Sequence, residues 1–241
     1  MRLKKVAKTA GAFCGVAVAG YAAAAGVTWL RFGREKAEEH SSLDPFFPEY
    51  QVFERYEVVA HAPAETAFSA AAALKLEDSS LVRAIFSTRE MFLGSRPDDN
   101  ALRLGLIEKA KQWGWGVLKV MPGQEMLFGA VTQPWVARPV FKSLSPEEFI
   151  GFMTPGYVKI AWTLRVDPLD QATSILSTET RAFATDQQAR KKFRRYWSMV
   201  MPGTVLIRRL ALCQAKKQAE AMTRGLATGS VGSTKEEADG V

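Results

Sequence analysis

YVKIAWTLRVDPLDQATSILSTETRAFATDQQARKKFRRYW, residues 157–197, is the stretch on which the fold turns. It opens with strict alternation: Val158, Ile160, Trp162, Leu164 and Val166 fall on one side, Lys159, Thr163, Arg165 and Asp167 on the other. Period-two patterning is that of a strand with one buried face, and such one-sided strands belong to an antiparallel sheet whose other face is wet. The PLDQ turn (168–171) returns the chain into a second strand, ATSILSTETRAFA (172–184). At Thr185-Asp186, a pair suited to capping, the period changes to that of a helix. Phe193, Trp197, Val200 and Met201 form one stripe, and Val205, Leu206, Leu210 and Cys213 extend it, so a helix is predicted over 186–222. A kink or break is expected at Pro202-Gly203.

Upstream, QVFERYEVVAHA (51–62) reads as a strand that gives way at Pro63 to a helix over 64–76. A second helix is predicted over 79–94, with Leu81, Ile85, Phe86 and Phe92 on one side, and a third over 101–113 after the RPDDN turn. GVLKVM (116–121) and QEMLFGAVTQ (124–133) flank Pro122-Gly123 as a hairpin. A short strand is expected at 140–144, and Ser145 followed by Pro and Glu opens a short helix over 145–153. The class is α+β: a curved antiparallel sheet wraps the long last helix, so that the sheet's apolar face and the helix's apolar stripe bury each other. Residues 47–224 form the domain, 34–46 a tether rich in charge, Ser and Pro, and 225–241 a disordered tail without periodicity.

The N-terminal run TAGAFCGVAVAGYAAAAGVTWL (9–30) carries no charge. As a helix it would be about 33 Å long, enough for a bilayer core of ~30 Å, so residues 1–33 are read as a membrane anchor or signal segment. Its hydrophobicity is thin, being largely Ala and Val, which leaves a cleaved signal at Ala23-Ala24-Ala25 or a non-inserting amphiphilic helix as alternatives.

Composition narrows the chemistry. The 241 residues carry a net charge of +7, a mild excess that falls short of a nucleic-acid binder, and no nucleic-acid partner is expected. Cys14 and Cys213 give no disulfide framework, and His40 and His61 give no His-rich metal centre. There is no phosphate-cradling glycine loop, nucleophile elbow, H-E-x-x-H or C-x-x-C, so no cofactor or metal is expected. The weak catalytic candidates are Glu179, Arg181, His61 and Tyr157. Glu179 and Arg181 stand two apart on one strand and share a face. An even-sized PLDQ turn places them inside with Trp162; an odd-sized one places Leu176, Thr178 and Thr180 there instead. The even register is the favoured expectation. Arg190, Lys191, Lys192, Arg194 and Arg195 on the last helix are candidates for contact with anionic lipid.

Several pieces together resemble bacterial members of the START-like superfamily, also called the SRPBCC or polyketide cyclase/dehydrase-like group. They are YQVFERYEVVAHAPAETAFSAAAAL (50–74), SSLVRAIFSTRE (79–90), EEFIGFMTPGYVKIAWTLRVDPL (147–169), SILSTETRAFATDQQARKKFRRYW (174–197) and LIRR (206–209). The resemblance covers about residues 48–222 and implies a helix-grip fold around a deep, mostly apolar cavity. Such a cavity would be lined by Phe86, Phe92, Trp115, Phe128, Trp162, Glu179, Arg181, Phe193 and Trp197. The expected function is that of a membrane-tethered, non-catalytic binder or carrier of an apolar small molecule or lipid. The alternatives are a cyclase/dehydratase-type enzyme and a ligand-free assembly module. The expected location is single-pass in the bacterial inner membrane, the domain leaning outside on the Lys and Arg count, with the bilayer engaged through residues 9–30.

Overall fold

The computed structural model describes residues 19–34, 40–75 and 105–236, with side chains to residue 226. The chain runs as a helix over 19–31 (α1), β1 (Val52–Ala60), α2 (Ala64–Ala72), α3 (Leu106–Gln112), β2 (Gly116–Met121), β3 (Glu125–Thr132), α4 (Pro146–Gly151), β4 (Val158–Pro168), β5 (Ser174–Ala184) and α5 (Gln187–Glu236). The helix predicted over 79–94, with Phe86 and Phe92, lies outside the described residues. The strand expected at 140–144 is reduced to a single bridge between Lys142 and Val131.

The five strands form one antiparallel sheet in the order β1-β5-β4-β3-β2. Its inner face carries the alternating residues read from sequence and packs against α2 and α5. Two apolar clusters lie there. Ala67, Ala70 and Ala71 of α2, with Leu74 just past its end, meet Leu212, Ala215 and Ala219 of α5 over Leu164, Val166 and Leu176; alanine on both helices permits a close approach. At the other end Phe193 and Trp197 pack on Val52, Val158, Ala182 and Ala184.

α5 is one continuous helix of 50 residues, with Pro202 inside it and no break at Pro202-Gly203. It also runs on to Glu236, past residue 225 where a structureless tail was expected. At its start the Asp186 carboxylate accepts from the backbone N–H groups of Gln188 and Ala189, at 2.7 and 2.9 Å, and from that of Gly156. Those bonds to orphan helix donors hold the Asp186 carboxyl below its usual range. α4 opens with a full capping box between Ser145 and Glu148.

The outer face corrects the expectation of a wet surface. Residues 40–46, expected within the tether, pack on the domain: Leu43 and Phe46, with Phe47 beside them, are buried on the sheet with Phe149 of α4, Leu127, Val131 and Ala161. This covering layer also buries Lys159, Thr163, Ser177, Glu179 and Arg181. Lys159 answers with one hydrogen bond to the Ile150 carbonyl (2.8 Å) and a position over the Phe149 ring, and burial pushes its ammonium pKa down.

The β4–β5 register corrects a second expectation. Trp162 pairs with Thr180, Ile160 with Ala182 and Val166 with Leu176. The strands are closed by Pro168 opposite Ser174, leaving residues 169–173 as an odd-numbered loop held by Leu169 N–H to Thr173 O at 2.9 Å. The odd count turns Leu176, Thr178 and Thr180 inward and sends Glu179 and Arg181 to the outer face.

Among the described residues no helix is long and apolar enough to cross a membrane. The described helix over 19–31 would span about 20 Å, and residues 9–18 of the uncharged run lie outside the described residues. α1 lies against α5 rather than apart from the domain. Phe32 meets Phe193 edge-on at 5.8 Å, the Tyr21 hydroxyl donates to the Met199 carbonyl, and Gly33 N–H donates to Gln51 O at 2.8 Å.

Candidate functional site

Between the inner face of the sheet and α5 lies a cavity of about 1180 Å³. Its floor is Ile160, Trp162 and Leu164 of β4 with Leu176, Thr178 and Thr180 of β5. α5 crosses above with Phe193, Trp197, Ile207, Arg208 and Leu212, and α3 closes one side with Leu106, Ala110 and Trp113. Tyr21 of α1 also reaches the lining, so the N-terminal helix contributes to the site. A volume at the top of the range for small-molecule sites, with so few polar groups, suits a large apolar occupant.

Aromatic contacts build one corner of the cavity. Trp162 stacks on Phe128 at 4.6 Å and receives the edge of Trp115 at 6.1 Å. Trp115 in turn lies 5.0 Å from Phe141. This corner depends on Gly114, whose φ of +88° is unsuited to other residues and whose added Cβ would sit 2.1 Å from the Phe141 carbonyl oxygen. Only glycine lets the 141 backbone come so close.

Arg208 is the polar centre of this lining. It sits on the α5 stripe four residues from both Thr204 and Leu212, which line the cavity with it. Its Nη1 donates to the Thr180 hydroxyl on the floor. Glu54, cross-strand from Thr180, acts on Arg208 through its charge, while its Oε2 accepts the Tyr56 hydroxyl at 2.7 Å. Burial and the neighbouring Glu54 carboxylate raise the Tyr56 phenol well above its ordinary range, so it stays a neutral donor. Lys109 of α3 is a second, buried cation of the lining, set 5.2 Å over the Trp113 ring.

Arg208 was not among the sequence candidates, although a signal was present. A charged residue at spacing 204, 208, 212 occupies a position of the stripe where every neighbour is apolar or small.

The sequence candidates separate cleanly. Trp115, Trp162, Phe193 and Trp197 line the cavity as expected; Phe128 lies buried behind Trp162 and does not. Glu179 and Arg181 are not in the cavity. They form a buried pair on the outer face, Arg181 Nε to Glu179 Oε1 at 2.7 Å, with Asp44 at 2.7 Å from Arg181 Nη1 and the Tyr50 ring 4.7 Å from the guanidinium. His61 is exposed at the end of β1, its backbone N–H bonded to Glu220 at 3.1 Å. Tyr157 packs edge-on against Phe152 at 5.6 Å, away from the cavity lining. Cys213, expected on the apolar stripe of the last helix, is exposed.

Of the five basic residues at 190–195, Arg190, Lys191, Lys192 and Arg195 are exposed. Arg194 is not available to lipid in the same way: its guanidinium lies 4.1 Å over the Trp29 ring and donates to the Trp29 carbonyl at 2.7 and 3.1 Å. It joins α5 to α1. Among the described residues, no group of His, Cys, Asp and Glu is placed to hold a metal ion.

No family model matches the chain, and no curated protein matches it. Among solved structures, a hypothetical protein from Helicobacter pylori aligns over 76% of this chain and 95% of its own, at 7% identity and a TM-score of 0.34. That likeness is too slight to carry an argument about fold or function.

Proposed function

We propose that this protein is a binder or carrier of an apolar small molecule or lipid, held in the cavity between the sheet and α5 and presented close to a bilayer. The observation that carries the reading is the cavity itself: about 1180 Å³ of space walled by aromatic and aliphatic side chains. A ligand-free assembly module would fill such a volume, because unfilled apolar space forfeits packing energy. The arrangement of sheet, alanine-faced α2 and long last helix accords with the helix-grip fold of the START-like superfamily, which the sequence resembles.

The cyclase/dehydratase alternative is weakened by where its candidates lie. General acid–base chemistry needs a titratable group within hydrogen-bond reach of the reacting atom. Glu179, Arg181, His61 and Tyr157 are all outside the cavity lining, and among the described residues no carboxylate or histidine lines it.

The membrane part of the proposal rests on α1. Val27, Trp29 and Leu30 are exposed although the helix is almost entirely apolar, and the same helix reaches the cavity through Tyr21. Immersing α1 in the bilayer interface would bring the cavity to the lipid surface, with Arg190, Lys191, Lys192 and Arg195 facing anionic headgroups. The side of the membrane is proposed from the Lys and Arg count alone, as outside.

The test is native mass spectrometry of the full chain, extracted gently in a detergent that releases in the gas phase. A mass increment of small-molecule or lipid size, removed by organic extraction, is expected. A chain that is always empty, and that fails to bind a neutral apolar fluorophore such as N-phenyl-1-naphthylamine, would refute the reading.

A further inference from the structure

We propose that the cavity takes an amphiphile with an anionic head, whose carboxylate or phosphate group pairs with Arg208 while its apolar body occupies the space over Trp162 and Leu164. This deepens the cavity-binding reading and rests on it. The first ground is placement. Arg208 is the guanidinium of the lining, on the stripe of α5 that faces the sheet, directly above Thr180. A guanidinium is always charged, and keeping one beside apolar walls is costly unless something compensates it.

The protein compensates it only in part. Among the described residues Arg208 makes one hydrogen bond, to the neutral hydroxyl of Thr180, and no carboxylate forms an ion pair with it. Glu54 influences it across the strand pair, but the Glu54 carboxylate accepts the Tyr56 hydroxyl. A guanidinium has five N–H donors in a planar fork, and one bond leaves the fork open to a bidentate acceptor. No nitrogen of Arg208 is sealed in protein without a partner, in contrast to Nη2 of Arg181 on the outer face. Burial pushes the Arg208 guanidinium pKa down, as expected of a charge short of counter-charge.

The second ground is the sign of the lining. Lys109 and Arg208 are its charged side chains, and among the described residues no Asp or Glu joins them. Arg208, set among apolar walls, favours an anion more than it would in water. A neutral sterol-like or hydrocarbon ligand would leave its open donors without an acceptor. An anionic amphiphile answers them with the head and fills the rest with its chain.

Carboxylate and phosphate share this chemistry, so the experiment separates them. The full chain is titrated with cis-parinaric acid and with its methyl ester by fluorescence, followed by displacement with myristate, tetradecyl phosphate and tetradecanol. The acid should bind roughly 10- to 100-fold more tightly than the ester, the range set by a charge-assisted hydrogen bond. Arg208→Gln should abolish that preference while leaving ester affinity within about twofold, and Arg208→Lys should retain part of it. Stronger displacement by myristate assigns a fatty-acid head, and stronger displacement by tetradecyl phosphate assigns a phospholipid-type head. Equal affinity of acid and ester in the wild type overturns the inference yet leaves the cavity function standing, as does equal loss of both in Arg208→Gln. Failure of acid, ester and tetradecanol alike overturns the cavity function and the inference together. Should Arg208→Gln not fold, the wild-type comparison and Arg208→Lys still decide.

Discussion

Replacing Arg181 by Met should destabilise the protein severely without touching the cavity. Arg181 is about 1% exposed, and it satisfies Glu179, whose side chain is 7% exposed, through a contact of 2.7 Å. Removing the guanidinium strands a buried carboxylate on the outer face. Breaking a buried pair from one side costs about 3–5 kcal/mol, because the surviving charge is desolvated and unpaired. Asp44, with 38% of its side chain exposed, can return to water and adds little. The double variant Glu179→Met/Arg181→Met removes both charges of the pair together and strands neither, so its cost should fall to about 0–3 kcal/mol, well below the sum of the two single changes. Urea unfolding of the full chain, followed by circular dichroism with m held constant, measures all three. Affinity for a neutral apolar probe should stay unchanged wherever the protein is folded. A loss under about 1 kcal/mol for Arg181→Met, or strict additivity in the double variant, would refute the outer-face assignment; a selective loss of ligand would return the pair to the cavity.

Gly114→Ala should cost about 2–3 kcal/mol or more and lower Tm by roughly 4–12 °C, since the new Cβ collides with the Phe141 carbonyl at a positive φ; an unchanged melting curve would contradict the close approach. Ala211→Trp, which projects into the cavity, should leave a folded protein with neutral-probe binding reduced at least tenfold, read by fluorescence titration. Acid titration should expose Asp44: partial burial pushes its carboxyl up, but the Ser41 N–H, Arg181 and His40 outweigh this and hold it below the usual range. A lowered folded-state value means that its stabilisation is complete above about pH 4 and is lost as pH falls through that lowered value. Asp44→Asn should therefore flatten the acid limb of stability against pH below 4; an unchanged limb would show that Asp44 is not held by these partners.

The elements that position the site were legible because burial imposes a period. Val158, Ile160, Trp162, Leu164 and Val166 alternate in sequence and lie on the inner face together. The first part of the α5 stripe, with Phe193 and Trp197 in the lining, was legible for the same reason; past Pro202 it was not, since Leu206 and Cys213 are exposed while Ile207, Ala211 and Leu212 face the cavity. Register was not, because it hangs on whether the loop after Pro168 has an odd or even count, and DQAT offers no turn chemistry that decides it. The buried outer face was hidden by its own polarity: Lys159 and Thr163, alternating with Arg165 and Asp167, read as a solvated surface. Only Leu43, Phe46 and Phe47, large apolar residues inside a Ser- and Pro-rich stretch, hinted at a covering layer. Arg208 escaped because a lone charge beside Arg209 looks like a surface pair, whereas one of the two faces the cavity and the other is exposed.

The central claim is that ligand occupies the chamber between the sheet and α5, and photolabelling tests it most directly. The full chain is irradiated with a neutral alkyl diazirine, and the modified residues are mapped by peptide mass spectrometry. Labels are expected on inner-face and lining residues such as Trp162, Leu164, Thr178, Ile207 and Ala211, displaced by excess unlabelled amphiphile and lost in Ala211→Trp. Labels confined to exposed Val27, Trp29 and Leu30 of α1, or to the covering layer around Phe46 and Phe47, with the chamber unmarked, would contradict it.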